Sequence, residues 1–338
     1  MQLKTAARKR SAFPERTDYF RRYLNIKEWI SANLLRNAGA GLAADDGTLY
    51  TQHDIGHIDD VIQSAGMILG IGHDTALVDK LNPYEIYVLL VAILLHDAGN
   101  AYGRVGHERR PFSILQKMGD VSGSNSVEKR VISNVAQAHG GRTSGGSKDT
   151  IAAIVTQDQS AIQHAVFRGR VLAGILRLAD EISENPGRAN YVATTEPGHS
   201  PLAEIHNVYC EHINITVDTR DRAIVADYEV PAEMLSHRFP LTDTSSTYFI
   251  DYIGERLSKC NTERIYCNRF TSEIIWFDKI RVTLRIVRDE AILEELKITI
   301  KDEGYPNSTK AMRDYDPRFD GKAMHDLHGG GTGRDPNA

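Results

Sequence analysis

The stretch PYEIYVLLVAILLHDAGN, residues 83–100, decides the fold of this chain. It begins with Pro83, and proline is favoured in the first turn of a helix. Ten uncharged, apolar residues then run from Ile86 to Leu95. A run of this length cannot cross a bilayer as a helix and is typical of a buried core helix. The sequence therefore predicts a central helix that ends at the polar pair His96 and Asp97.

Helical periodicity continues on both sides of this segment. Before it, Thr51 and Asp54 have the spacing of a capping box and predict the start of a helix that runs toward Gly70. Gly and Ser residues at 140–147, GGRTSGGS, predict a flexible loop. The other predicted helices cover residues 19–35, 108–118, 127–138 and 164–182.

The pattern changes after Glu184, where Asn185, Pro186 and Gly187 interrupt the helical rhythm. Four segments favour strands and one favours a helix; they are 212–217, 223–230, 279–287 and 296–300 for the strands and 246–257 for the helix. We expect a mainly α fold, a helical bundle, followed by a smaller α+β domain. The predicted parts are a helical segment at 1–44 that packs on the bundle from residue 14 on, a helical domain at 45–186, an α+β domain at 190–304 and a disordered tail at 305–338.

Composition indicates a soluble globular protein, with 338 residues and a net charge of −5. Residues 98–150 differ from the rest, because they carry eight Lys/Arg against four Asp/Glu, a balance that favours a phosphate-bearing ligand or a solvated basic face. The three cysteines form no CxxC pair and fit a reducing cytoplasm. The basic N-terminus lacks the apolar stretch of a signal peptide, and no membrane partner is expected.

Histidine and aspartate residues form the chemically informative pattern. His53 and His57 lie four residues apart, so they share one face of a helix. Asp97 and Asp180 each follow an apolar helix, and a buried carboxylate is costly unless it has a partner. A metal ion is one such partner, since it neutralises the aspartate and accepts the lone pair of the neighbouring histidine.

Each of these features also has a purely structural interpretation. Asp180 could form an ion pair with Arg177 at a helix end, and His96 with Asp97 could be a polar cluster at a helix C-terminus. A single helical histidine is most often a surface or hydrogen-bonded residue, which we take as the default for His53. The order of the residues along the chain favours a metal site, because His, His-Asp, His, His and Asp fall on separate predicted helices or at their ends.

The chain resembles the HD superfamily of metal-dependent phosphohydrolases. The matching stretches are YTQHDIGHIDDV, ILLHDAGN, GHERRPFSIL, AHGG and LRLADEIS, and they span about residues 45–184. The amino-acid sequence of these stretches is most similar to that of HD domains from bacterial conflict and antiviral defence systems. The resemblance implies an all-helical fold that binds one or two divalent metals, with a signature of His, His-Asp and a final Asp.

Carried over by position, the resemblance implies a first metal held by His57, His96, Asp97 and Asp180. A second metal is implied at His107 and His139, with Asp97 as the bridge between the two ions. The catalytic residues are then Asp97, His107 and His139. Imidazoles with carboxylates suit Mn, Fe, Ni, Co or Zn, and Mg less well.

The implied reaction is hydrolysis, in which a metal-activated water attacks a nucleotide, a cyclic nucleotide or another phosphodiester. The expected partner is a phosphate-bearing small molecule or a short nucleic acid, and the chain could form a homo-oligomer. Glu108 or Asp54 could relay protons. The candidate substrate contacts are His53, Asn100, Arg104, Arg109, Arg142 and Lys148; Asn100 stands where some HD enzymes have a lysine.

Two other functions remain open at this point. A minority of HD proteins use the same ligand pattern to hold two irons and cleave a carbon bond with O₂. A ligand-sensing or scaffold protein without turnover is the other alternative, and the predicted α+β domain would suit it.

Overall fold

The structure is a computed structural model, and it describes residues 17–35, 55–71, 80–103, 105–162, 165–189, 201–242, 244–302, 304 and 310–329. The described chain divides into two compact units. The first holds the described residues up to Ser183 together with Tyr266–Trp276, and the second holds those of Glu184–Ile265 and of 277–329. A mainly helical fold with an α+β part is thereby confirmed.

The first unit is built around the predicted central helix, which we call α3 and which runs from Pro83 to Leu95. Asn82 caps it: its side chain accepts a hydrogen bond from the Glu85 amide, and the Glu85 carboxylate accepts one from the Asn82 amide. Every residue from Tyr84 to Leu95 is buried. A helix that is apolar on all sides needs neighbours all round. These neighbours are the helices Tyr19–Ile30, Ile55–Ile68, Ser126–Gln137 and Gly169–Glu181.

The remaining elements of the first unit are mostly helices. In chain order they are α1 (Tyr19–Ile30), α2 (Ile55–Ile68), α4 (Pro111–Lys117), α5 (Ser126–Gln137), α6 (Thr150–Ile154), the hairpin β1 (Ser160–Ile162) and β2 (Ala165–Phe167), and α7 (Gly169–Glu181). Two 3₁₀ turns, Ala98–Tyr102 and His107–Arg109, follow α3. The predicted capping pair Thr51 and Asp54 lies outside the described residues.

Two predicted helices of this unit begin later than expected. The helix predicted at 164–182 starts at Gly169, because Ala165–Phe167 pairs with Ser160–Ile162 as an antiparallel hairpin. The valine and the aromatic residue in that segment favour a strand. The helix predicted at 108–118 starts at Pro111, where proline takes the first helical position.

The second unit combines a four-stranded sheet with helices. Its elements are α8 (Pro201–Glu211), β3 (Ile213–Asp218), β4 (Ala223–Pro231), β5 (Arg238–Thr242), β6 (Ser245–Tyr248), α9 (Phe249–Thr271, whose last six residues belong to the first unit), β7 (Lys279–Arg288), β8 (Ala291–Lys301), α10 (Met312–Tyr315) and α11 (Gly321–Met324). The strand order in the sheet is β3-β4-β7-β8, with β4 and β7 parallel and the two outer pairs antiparallel. Its register aligns Ala226 with Val282 and Val282 with Ile298.

Three parts of this region differ from the sequence-based expectation. The helix expected at 246–257 is preceded by strand β6, and it extends to Thr271. Helix α8 was not predicted. Part of the tail expected to be disordered, residues 310–329, contains α10 and α11, because Met312, Phe319 and Met324 are buried there.

The segment Tyr266–Trp276 groups with the first unit although it falls inside the predicted α+β domain. Specific contacts explain this: the Tyr266 hydroxyl donates to Asp149, and the Arg177 guanidinium lies 4.4 Å from the centre of the Tyr266 ring. In the part of the chain that the structure describes, no helix has the length and apolar character needed to cross a membrane.

Candidate metal centre

The first cluster of the centre joins three helices of the first unit. Helix α2 supplies His57, the end of α3 supplies His96 and Asp97, and α7 supplies Asp180. The Asp180 Oδ1 atom lies 3.3 Å from His57 Nε2 and 3.6 Å from His96 Nε2. The Asp97 Oδ2 atom lies 3.7 Å and 3.5 Å from the same two nitrogens. Asp97 and Asp180 thus each lie within 3.7 Å of both His57 and His96, so the four residues predicted to share one metal lie close together. The donor atoms that all lie within reach of one another are those of His57, His96 and Asp97.

The second cluster lies on the other side of Asp97. His107, at the start of a 3₁₀ turn, places Nε2 3.2 Å from Asp97 Oδ1. His139, two residues after α5, places Nε2 3.7 Å from the same oxygen. Gly99 permits the turn of His107 to approach, since a Cβ at that position would lie 2.2 Å from the His107 carbonyl oxygen.

Asp97 therefore directs its two carboxylate oxygens to different histidine pairs. Oδ2 faces His57 and His96, whereas Oδ1 faces His107 and His139. Two groups of donor atoms, each within mutual reach of one cation, share this single carboxylate: His57 with His96 and Asp97, and His107 with His139 and Asp97. Asp97 thus belongs to both donor groups.

Backbone carbonyls fix the orientation of two of the imidazoles. The Nδ1 atom of His96 lies 2.7 Å from the Ile93 carbonyl oxygen, and that of His139 lies 2.6 Å from the Ala136 carbonyl oxygen. Because a carbonyl only accepts, both Nδ1 atoms carry a proton, so that in the neutral imidazole the lone pair lies on the Nε2 atom that faces the cluster. This backbone contact is the usual support of a metal-ligating histidine.

The charges in the cluster shift the proton affinities of its members in opposite directions. Burial lowers the pKa of His96, but the Asp97 and Asp180 carboxylates outweigh it and raise the pKa to about 9. Burial, reinforced by the His96 cation, lowers the pKa of His139 to about 4. The pKa of Asp180 lies well below its usual range, because its contacts with His57 and His96 overcome desolvation. The negative charges of Asp97 and Asp180 are thus stabilised by positive charge beside them, which a proton on His96 or a bound cation supplies.

The residues present fit divalent transition ions. The buried Nε2 of His96 has no hydrogen-bond partner, although it faces two carboxylates. Two ligands of one ion with bonds of about 2.1 Å lie roughly 3.0 to 3.4 Å apart, and the separations across both clusters run from 3.2 to 3.7 Å. Imidazole nitrogens with carboxylate oxygens are a donor set for such ions. The His/Asp cluster could therefore hold a metal ion.

Glu108 lies beside His107 of the second cluster. Its Oε2 atom lies 3.7 Å from His107 Nδ1, on the side of the ring opposite Asp97. Its side chain also lies against Gly141, where a Cβ would come within 2.9 Å of the Glu108 Cγ and where φ is +73°. The glycine-rich loop that follows His139 therefore packs directly on the carboxylate beside His107.

The predicted substrate contacts occupy different surroundings. Asn100, in the turn after Asp97, is buried, and neither atom of its amide group has a hydrogen-bond partner. Arg109 is exposed, with Nε 3.4 Å from Glu108 Oε1. Arg142 in the glycine-rich loop and Lys148 directly after it are exposed, and Arg142 donates to the Gly146 carbonyl. His53 and Arg104 lie outside the described residues.

Sequence reasoning missed the role of Gly99 and the contacts of Arg177. A glycine directly after a buried His-Asp-Ala segment was a usable signal for a close approach of two backbones. Arg177 donates to the Thr150 hydroxyl and the Lys148 carbonyl oxygen, whereas Asp180 contacts His57 and His96. No local pattern relates Arg177 to Thr150, because they are 27 residues apart in the chain.

The helical first unit and its two histidine clusters around one aspartate define an HD-type domain. The HD-CE family model matches residues 48–258, which is more than half of the chain. The chain therefore belongs to the HD-CE family. No curated protein and no solved structure matches it.

Proposed function

We propose that this protein is a metal-dependent phosphohydrolase that acts on a nucleotide, a cyclic nucleotide or another phosphodiester. The observation that supports the proposal most is the position of Asp97, whose two oxygens face two separate histidine pairs. Two ions held side by side suit phosphoryl transfer, where attacking and leaving oxygens both need stabilisation. The residues that would hold them are His57, His96, Asp97, His107, His139 and Asp180.

When bound, the ions supply Lewis acidity for the phosphoryl oxygens and lower the pKa of water. Mn, Fe, Ni, Co or Zn fit the donors better than Mg, because four of the six donor groups are imidazoles. The chain itself contributes orientation: the carbonyls of Ile93 and Ala136 hold His96 and His139 with Nε2 toward the cluster.

Glu108 and Asn100 are the groups that we assign to proton and substrate handling. The Glu108 carboxylate lies 3.7 Å from His107 Nδ1 and attracts a proton on that nitrogen, while Nε2 faces Asp97. Asn100 carries a donor and an acceptor without partners three residues from Asp97, and we assign it to a phosphoryl oxygen or an ester oxygen of the substrate. Arg109, Arg142 and Lys148 are exposed cations, which we assign to attraction of the phosphate group.

The test combines metal content with hydrolysis on one purified sample. Metal per chain is measured by elemental mass spectrometry, and the protein is then incubated with Mn or Ni and a panel of nucleotides, cyclic nucleotides and single-stranded DNA. The double variant His96→Ala with Asp97→Ala should lose both metal and turnover. His237→Ala is the matched control, because His237 is exposed in the second unit and should change neither. Absence of bound metal and of turnover in the unmodified chain would refute the proposal.

The same donors also suit a di-iron oxygenase. Each cluster offers two histidines and one shared carboxylate, which is the ligand pattern of non-haem iron oxygenases. About two irons per chain, O₂ consumption and no phosphate release would favour this second function. Stable metal with neither activity would favour a ligand-sensing protein.

We also propose that the protein works in the cytoplasm in bacterial antiviral defence. The likeness of GHERRPFSIL and LRLADEIS to HD domains of conflict systems supports this role. Bacteria that express the chain, the His96→Ala/Asp97→Ala variant or no chain would be challenged with a phage panel. Protection that the variant abolishes is the expected outcome, and equal plaque counts in all three strains would count against a defensive role.

A further inference from the structure

A second cluster of charged side chains lies within the second unit and shares no residue with the metal centre. It is centred on the buried carboxylate of Glu184. Its Oε1 atom forms an ion pair with Arg256 Nη2 and lies 3.6 Å from His206 Nε2. On its other side, His206 Nδ1 lies 3.0 Å from the Tyr252 hydroxyl. The carboxylate is thus already engaged by one guanidinium and one imidazole.

Arg188 adds to this cluster a cation for which the described residues offer no acceptor. It is buried, with only 6% of its surface exposed. Its Nε atom has no hydrogen-bond partner, and no acidic group among the described residues forms an ion pair with its guanidinium. Its charge acts on both Glu184 and His206, which places it in the same cluster. An isolated buried charge is unfavourable unless an ion of opposite sign lies beside it.

The cluster around Glu184 carries an excess of positive charge. Glu184 is matched by Arg256, while the Arg188 charge and that of the exposed Lys259 act on the same carboxylate. His206 does not add to the excess near neutral pH, because burial lowers its pKa to about 4. A guanidinium presents several N–H donors in a planar fork that matches phosphate and carboxylate groups.

We propose that Arg188 is the centre of an anion-binding site that takes the phosphate group of a small molecule. Arg188 supplies the charge and the unpartnered Nε–H donor. Arg256 keeps its ion pair with Glu184, so that this carboxylate does not neutralise Arg188. The excess cation is then neutralised by the ligand. This site is independent of the metal centre, so the proposal stands whether or not the chain hydrolyses phosphate esters.

The test is a titration of the full chain with inorganic phosphate after removal of metals with a chelator, so that the metal centre does not contribute. Binding is measured by isothermal titration calorimetry for the unmodified chain, Arg188→Gln and Arg220→Gln. Arg220 is the matched control, because it is an exposed arginine of the same unit. We expect saturable binding of one phosphate per chain, weakened about tenfold or more in Arg188→Gln and unchanged in Arg220→Gln.

Two further arms make the result decisive. Arg188→Lys keeps the charge but loses the fork, so it should fold and bind phosphate more weakly than the unmodified chain. Acetate in place of phosphate separates the two oxyanions, and tighter acetate binding would assign the site to carboxylates and overturn the phosphate assignment. If the unmodified chain binds no phosphate, or Arg188→Gln binds it as well as Arg220→Gln does, the proposal is wrong.

Discussion

The Arg177 guanidinium donates a hydrogen bond of 2.8 Å to the hydroxyl of Thr150, and this hydroxyl in turn donates to the Ala138 carbonyl at 2.9 Å. Ala138 precedes His139, and Arg177 precedes Asp180 by three residues on α7. A chain of two hydrogen bonds therefore ties the backbone beside one metal-ligand candidate to the helix that carries another. The same two hydrogen bonds hold both ends of the glycine-rich loop at 140–147, because Ala138 precedes the loop and Thr150 follows it.

Replacement of Thr150 by valine should uncouple this connection. The substitution keeps the β-branched shape but leaves the Ala138 carbonyl and the Arg177 guanidinium each short of one buried partner. We expect a loss of about 1 to 3 kcal/mol in the free energy of unfolding, and weaker retention of metal at His107 and His139. Urea unfolding and metal content after dialysis measure the two effects.

Thr156→Val is the control for this substitution, because Thr156 is exposed in the same unit. Equal stability and equal metal retention in the two variants would show that the Thr150 hydroxyl does not connect the loop to the site.

The two sides of Asp97 should be separable by mutation. His107→Ala removes a donor that faces Oδ1 and leaves His57, His96 and Asp180 intact. We expect about one metal per chain in this variant if the unmodified chain holds two, because the first cluster keeps its four donors. Elemental mass spectrometry after dialysis against excess Mn or Ni gives the stoichiometry.

Asp97→Asn is the companion variant, since it weakens the residue shared by both clusters. It should reduce the stoichiometry below that of His107→Ala, with a circular dichroism spectrum that matches the unmodified chain. Full metal content in Asp97→Asn would mean that the carboxylate does not bridge.

Arg168 and Arg170 allow a direct comparison of a buried with an exposed ion pair near the start of α7. The Glu85 carboxylate is buried and accepts from the backbone amide, Nε and Nη2 of Arg168. Arg168→Met leaves that carboxylate without its cation, and we expect a loss of about 3 kcal/mol or more in the free energy of unfolding. Arg170 pairs with Asp158, whose side chain is 81% exposed.

Asp158→Asn should therefore cost less than about 1 kcal/mol, because water screens the exposed charges. This variant removes the charge of the pair but leaves the hydrogen bonds of Arg170 to the Val155 and Thr156 carbonyls in place. Urea denaturation of both variants at the same salt concentration provides the comparison. A loss for Asp158→Asn as large as that for Arg168→Met would contradict the expectation that the buried pair with Glu85 contributes more to stability than the exposed pair.

Elements with strong local signals were predicted well from the sequence. The apolar run that ends at His96 is a helix with the expected bounds, because no other element accommodates ten consecutive apolar residues so readily. Strands β4 and β7 also lie where β-rich alternation placed them. By contrast, Ala165–Phe167 is a strand in a segment predicted as helix, since pairing with Ser160–Ile162 outweighs the helical rhythm of its neighbours.

The candidate site was predictable in its members but not in its geometry. The order of His57, His96, Asp97, His107 and His139 along the chain indicated one cluster, and the fold brings them together. That Asp97 divides its oxygens between two histidine pairs depends on the direction of its side chain, which no spacing in the sequence specifies. The Arg188 cluster was not predicted, because Glu184 and Arg188 are distant in the chain from His206 and Arg256.

The pH dependence of stability should reveal His206. Burial, the largest influence, lowers its pKa to about 4 although Glu184 pulls it upward, whereas an unfolded histidine titrates near 6.5. As pH falls below about 6.5, the unfolded chain takes up a proton at this residue, whereas the folded chain does not. Stability is therefore lost as pH falls from about 6.5 toward 4, with a slope that approaches roughly 1.4 kcal/mol per pH unit for this one group.

His206→Gln isolates this contribution, because glutamine does not titrate and can still reach the Tyr252 hydroxyl. The free energy of unfolding of chelated protein would be measured in urea at several values between pH 5 and 6.5, above the range in which carboxylates such as Glu184 take up protons. We expect the free energy of unfolding to depend less steeply on pH in the variant than in the unmodified chain, by about the slope that one titrating group contributes. His237→Gln, at an exposed histidine of the same unit, should keep the full slope. If the His206 and His237 variants show the same pH dependence, then folding does not lower the pKa of His206, and this prediction is wrong.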